Sequence, residues 1–157
     1  MINFKIKNIM KKIFITSSLF SNDILSLFPR LILALVFIFH GGQKMFGWFG
    51  GHGIEATAQF MNANLHIPVF MGYIAAISEF FGAVFILFGL FSRLSALALG
   101  FTMIMAIITV HSNAFLMSEG GMEYPLTLLF MAIISFIACP CKISLDSVIF
   151  KKCSSKE

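Results

Sequence analysis

Four stretches of the chain, 27–46, 69–91, 94–110 and 124–141, carry almost no charge. The second has Glu79 as its only charged residue, the third has none over 17 residues, and the fourth runs 18 uncharged residues after Glu123. The first carries only Arg30 and Lys44, one toward each end. Each stretch is close to the ~20 residues that a helix needs to cross a hydrocarbon core. Inside lipid every backbone N–H and C=O must be paired within the segment, which leaves helices as the form. The expected fold is all-α, an integral membrane four-helix bundle over 27–146. Composition agrees: 59% of residues are hydrophobic and 11% charged, against about 25% charged in a soluble domain. At 157 residues this is one small domain. The bilayer is its expected partner, and nucleic acid is not.

The segments outside the bundle are basic. Residues 1–26 carry Lys5, Lys7, Lys11 and Lys12 on one side of a helical projection, with Ile2, Ile6, Ile9, Met10 and Ile13 on the other. That is the pattern of an amphipathic arm lying on an anionic membrane surface. A signal peptide would need a longer apolar core than the run broken by Thr16, Ser17 and Ser18. The tail, 147–157, carries Lys151, Lys152 and Lys156, and Lys142 lies just before it. The connections 47–68 and 111–123 hold no Lys or Arg, whereas the 91–93 turn holds Arg93. The positive-inside rule then places both termini and that turn in the cytoplasm. An even number of spans is consistent with this orientation.

Polar residues within the apolar segments are the candidates for function. His40 and Lys44 stand four apart on the first helix, one above the other, with Gln43 beside them. Glu79 lies about ten residues into the second helix, in a stripe with Gly72, Ala75, Ala76, Gly82 and Ala83. Small residues let helices approach in membranes, so the stripe should turn Glu79 into the bundle. His111 ends the third helix, and Glu123 and Tyr124 begin the fourth. These seven residues are expected at one outward-facing depth, around a pocket. Each has a plainer role when taken singly. Lys44 can snorkel to the interface, Glu123 can favour a helix N-terminus, and His111 can sit in the headgroup region. Glu79 is the exception, because an intramembrane carboxylate is functional by default. Glu79 is expected to face His40 and Lys44. Arg30, Arg93 and Asp146 form a second set at the cytoplasmic base, read as structural.

No metal site is expected. The ten Met residues show no ligand spacing, and neither His-Glu-x-x-His nor Glu-x-x-His occurs. Cys139-Pro-Cys141 fits neither the usual zinc spacings nor the Cys-x-x-Cys redox motif. Cys153, beside Lys151 and Lys152, is a candidate for acylation. Nucleotide loops and nucleophile elbows are also missing.

RLILALVFIFHGGQKMFGWFGG at 30–51, SEFFGAVFILFGLFSR at 78–93, VHSNAF at 110–115, GGMEYPL at 120–126 and SLD at 144–146 together resemble the DoxX family of small four-helix membrane proteins. The resemblance implies a four-helix bundle in a bacterial inner membrane and a link to redox chemistry. A related thiosulfate:quinone oxidoreductase uses a similar subunit, and other members look like partners of thiol and superoxide defence enzymes. Where the family has a glycine-rich turn before Ser-Leu-Asp, this chain has Cys139, Pro140, Cys141 and Lys142. Family membership fixes no chemistry. Three functions are consistent with the residues. One is a subunit of a quinone- or sulfur/thiol-linked membrane oxidoreductase, with quinone as ligand and redox enzymes as partner subunits. The second is a small proton-coupled transporter working through Glu79. The third is a scaffold subunit without chemistry. The first accounts for most of the polar residues.

Overall fold

The structure is a computed structural model that describes residues 23–138 and 143–154. The amphipathic arm over 1–22 and the Cys139–Cys141 pair therefore lie outside the described residues. Among the described residues six α-helices follow in order: α1 Asp23–Phe46, α2 Gly53–Leu65, α3 Val69–Phe88, α4 Ser92–Thr109, α5 Glu123–Ala138 and α6 Leu145–Ser154. Short 3-10 turns occupy Trp48–Gly50 and Met117–Glu119. Among the described residues there is no strand, and the fold is all-α.

Four of the helices share one core. Leu33, Ala34 and Phe37 of α1 meet Ala83 and Ile86 of α3, Ala96, Leu99 and Met103 of α4, and Leu128 and Ala132 of α5. Leu35, Leu97, Phe101 and Phe130 point away from that core and are more than half exposed. An apolar exterior around a core rich in alanine suits lipid as the surrounding solvent. Helices gain little there from hiding apolar surface, so close approach through small residues holds them together. Gly41 shows the approach directly: a Cβ built on it would stand 2.9 Å from the backbone of Phe80. Gly72 does the same in the first turn of α3, where an added Cβ would lie 2.7 Å from Ala58 Cα of α2. Ala76, Glu79, Gly82 and Ala83 are buried with it, so the small-residue stripe of α3 faces inward.

Length and apolarity allow α3 and α4 each to cross a membrane. The pair α1–α2 adds a third apolar unit, but its axis turns by 94° between 27–46 and 48–65. The helix α5, 16 residues long, is apolar and shorter. Segment ends differ from the expected ones for local reasons. The second segment stops at Phe88 instead of residue 91 because Gly89 adopts φ 67° and Leu90 N–H bonds back to Phe85 O at 2.8 Å, a left-handed helix cap. The first starts at Asp23, four residues before the expected start at Leu27.

The helix α2 was missing from the sequence reading, which left 47–68 as a connection. Ile54, Thr57, Ala58, Met61 and Leu65 form its inward face, while Glu55, Gln59 and Asn62 are exposed. Gly47 makes the bend possible. It ends α1 in the left-handed region (φ 73°), with its N–H on Gln43 O at 3.2 Å.

Among the described residues, one buried side-chain group lacks a partner. Ser135 on α5 is fully buried, and its hydroxyl makes no hydrogen bond. Leaving such a group unsatisfied costs about 1–3 kcal/mol. Ser135→Ala should therefore raise the thermal midpoint of the protein in mild detergent, with a gain of about 1 kcal/mol. A lowered midpoint would mean that the hydroxyl finds a partner in the folded bundle.

Candidate functional site

The last turn of α1 and the middle of α3 carry an ion pair of the bundle. Glu79 is 4% exposed. Lys44 Nζ lies 2.7 Å from its Oε1 and 2.6 Å from its Oε2, so one ammonium is shared by both carboxylate oxygens. The Lys44 side chain is itself 41% exposed. Register explains the pairing. Gly41 abuts Phe80, which sets Glu79 within a turn of Lys44, and the lysine stem reaches inward to it. The carboxylate is thus buried and neutralised, with its cation on the accessible side.

His40 faces a different neighbour. Its Nδ1 lies 3.1 Å from Gln43 Oε1, and its Nε2 lies 3.3 Å from the Tyr124 hydroxyl of α5. The Gln43 amide donates in turn to Phe49 O in the elbow after α1, at 3.4 Å. A polar chain therefore runs from α5 through α1 into the elbow, beside the Lys44–Glu79 pair. The elbow is packed down by aromatic rings. Phe39 stacks on Phe49 at 4.5 Å, and Phe46 on Trp48 at 4.8 Å. Trp48 lies so close over Gly42 that an added Cβ would meet its ring at 2.7 Å.

His111 and Glu123 hold the loop between α4 and α5. His111 Nδ1–H donates to Gly120 O at 2.6 Å, and Glu123 Oε1 accepts the Met117 N–H at 2.7 Å. Of the seven expected site residues, the structure joins Lys44 with Glu79, and His40 with Gln43 and Tyr124. His111 and Glu123 instead bond to loop backbone. The sequence reading missed the Phe49 carbonyl and the exposed Tyr73–Glu55 hydrogen bond that ties α3 to α2. The inward apolar spacing of α2 was the signal that could have found the second. Among the described residues no group of His, Cys, Asp and Glu is arranged to hold a metal ion.

Arg30, Arg93 and Asp146 lie at helix ends, at the end of the bundle opposite the elbow. Arg30, 2% exposed, donates to Ile86 O, Leu87 O and Ile143 O at 3.2, 3.3 and 2.9 Å. The first two are carbonyls of the last turn of α3, where the helix's own N–H groups run out; Ile86 O also accepts the Gly89 N–H at 3.2 Å. Asp146 accepts Phe91 N–H at 2.8 Å and Ser92 N–H at 2.9 Å, together with the Ser92 hydroxyl at 3.0 Å, and so caps α4. Its own N–H donates to Gly89 O at 2.9 Å. Arg93 is half-buried beside this cap.

Comparison with known proteins agrees with this architecture. The sequence profile of the DoxX family matches residues 25–112. The Bacillus subtilis (strain 168) protein named "Putative oxidoreductase CatD" is 35% identical over 108 residues, which is 69% of this chain and 75% of that protein. The Escherichia coli (strain K12) protein named "Inner membrane protein YqjF" is 36% identical over 92 residues, covering 58% of this chain and 65% of the relative. No solved structure matches. On the extent of the profile match and the identity to the first relative, the chain belongs to the DoxX family.

Proposed function

We propose that this DoxX protein is a bacterial inner-membrane component of a quinone- or thiol-linked oxidoreductase system. In this reading Lys44, Glu79, His40, Gln43 and Tyr124 form its ligand site, with His111 and Glu123 at the outer rim. One observation carries the reading: Glu79, buried midway along an apolar helix, has both carboxylate oxygens held by Lys44, which stays partly exposed. A buried ion pair is a poor way to stabilise a fold, because desolvation offsets most of its attraction. Intramembrane ionisable groups mark ligand or proton pathways. One relative carries oxidoreductase in its name, which supports a redox partner, and the other carries inner membrane in its name. Four spans, α1, α3, α4 and α5, with both termini cytoplasmic, follow from the Lys/Arg bias of the connections. The elbow, α2 and the 110–122 loop are then external, and the site opens outward. Arg30, Arg93 and Asp146 close the cytoplasmic base.

The test is purification from the native host in mild detergent, with extraction of bound quinones and mass spectrometry of retained proteins. Wild type should retain quinone or a thiol-redox partner. Glu79→Gln and Lys44→Met should each lose it while still inserting in the membrane. Retention of neither by wild type overturns the redox reading. Proton uptake by reconstituted vesicles that Glu79→Gln abolishes would then assign the pair to a transporter. For orientation, single cysteines placed in 47–68 and 111–123 should react with an impermeant thiol reagent on intact cells. Cys139, Cys141 and Cys153 should stay protected, and their labelling from outside would reverse the topology.

A further inference from the structure

The side chain of Gln43 stands between an imidazole and a backbone carbonyl. The Phe49 carbonyl can only accept a hydrogen bond, so the amide group turned toward it must be the –NH2. The Gln43 carbonyl oxygen is then the atom facing His40 Nδ1. That oxygen can only accept, which places a hydrogen on Nδ1. A neutral imidazole has one N–H, so Nε2 keeps a bare lone pair. Reversing the amide would oppose two carbonyl oxygens at the elbow. Nε2 is the nitrogen that faces Tyr124, whose hydroxyl donates to it at 3.3 Å. The elbow backbone, through one amide, thus fixes which nitrogen of His40 acts as a base.

We propose that His40 Nε2 is the proton-accepting atom of this site for a ligand with a weakly acidic O–H or S–H, a quinol or a thiol, and that Gln43 is the positioning residue that keeps Nε2 free. The proposal rests on the redox reading above. The step is a proton transfer with no change of oxidation state. The ligand proton passes to the Tyr124 oxygen as the Tyr124 hydroxyl proton passes to Nε2, and the ligand oxygen or sulfur keeps the electron pair. His40 becomes an imidazolium that donates from both nitrogens, and the Nδ1–H contact to Gln43 survives. The charged neighbours tolerate this. Lys44 on the same helix and Glu79 on α3 neutralise each other. On α5 Tyr124 is the direct contact, and Glu123 is held by Met117 N–H. His111, at the end of α4, is bonded to Gly120.

The experiment is nitrogen NMR of histidine-labelled full-length protein in lipid nanodiscs, with the His40 signals assigned by their loss in His40→Gln. Wild type should show hydrogen on Nδ1 and a bare Nε2. In Gln43→Leu the hydrogen should shift wholly or partly to Nε2, and Gln43→Glu, which keeps an accepting oxygen, should restore Nδ1–H. A role confined to pinning α1 to α5 gives no such restoration. A short-chain benzoquinol and hydrosulfide are then added in separate samples. The one that serves as ligand should convert His40 to the imidazolium in wild type and fail to do so in Tyr124→Phe. Hydrogen on Nε2 in wild type, or a tautomer unmoved in Gln43→Leu, overturns the assignment. Bound quinone or thiol without a response at His40 overturns the base while leaving the redox reading intact. Absence of binding by both classes removes that reading itself.

Discussion

Lys44→Met is expected to lower the thermal midpoint of the detergent-solubilised protein more than Glu79→Gln does. The double variant Lys44→Met/Glu79→Gln should recover much of the loss. Burial makes the two partners unequal. Glu79 is 4% exposed, so without its cation the carboxylate either stays charged in an apolar interior or takes up a proton. Lys44 has a side chain 41% exposed, so without Glu79 its ammonium can swing toward solvent. Breaking a fully buried pair costs about 3–5 kcal/mol. The exposure of Lys44 admits screening, and protonation of Glu79 relieves part of the rest, so a loss of about 2 kcal/mol is expected for Lys44→Met. A thermal-unfolding cycle over the four proteins should give a coupling on the order of 2 kcal/mol. Additive losses would mean that the pair contributes nothing beyond its separate side chains.

That pair was legible in the sequence because the physics is local to each segment. A carboxylate ten residues into an apolar helix must find a cation or lose its charge, and small residues on its stripe indicate which way it faces. His40 and Lys44 on the neighbouring helix were both candidate partners in the sequence, and Glu79 contacts Lys44 while His40 turns to Gln43 and Tyr124. Tyr124 at the start of α5 was legible in the same way, from its depth. The division of labour among the polar residues was not. His111 and Glu123 have the right depth for a site, but loop carbonyls and N–H groups, invisible in side-chain patterns, claim them first. The Gln43 contact to Phe49 O depends on an elbow that turns the chain by 94°, which spacing within α1 cannot reveal. The helix α2 carried a readable inward stripe at Ile54, Ala58, Met61 and Leu65. Short length and low hydrophobicity hid it among segments selected for crossing a bilayer.

The base of the bundle shows the same limit at longer range. Charge chemistry suggested that Asp146 serves Arg30 or Arg93. The described hydrogen bonds of its carboxylate go to the start of α4, 54 and 55 residues away in sequence. A cap supplied from another helix leaves no local signature, unlike a Ser or Asp placed at the N-cap itself. Here the N-cap is Phe91, in the left-handed region at φ 46°, and it offers no side-chain cap of its own. A non-glycine residue held there costs on the order of 1 kcal/mol or more and persists only where its surroundings enforce it. The Asp146 carboxylate on Phe91 N–H is one such restraint.

Asp146→Ala should accordingly be among the most damaging single substitutions in the chain. It strips an acceptor from two backbone N–H groups and from the Ser92 hydroxyl, beside a side chain only 2% exposed. Each buried donor left unsatisfied costs about 1–3 kcal/mol, so a total loss of about 3–4 kcal/mol is expected. The favourable meeting of a carboxylate with the positive end of α4 disappears as well. Asp146→Asn separates capping from charge. Its one carbonyl oxygen can still accept from Phe91 or Ser92, so about half of the stability should remain if capping dominates. If Asn is as harmful as Ala, the negative charge is what matters, and its partners are the guanidinium groups of Arg30 and Arg93. The cycle Asp146→Asn with Arg93→Gln then decides between them: a coupled loss assigns the charge to Arg93, and additive losses leave Arg30 as its partner. Thermal unfolding in one detergent reads all of these variants on a common scale.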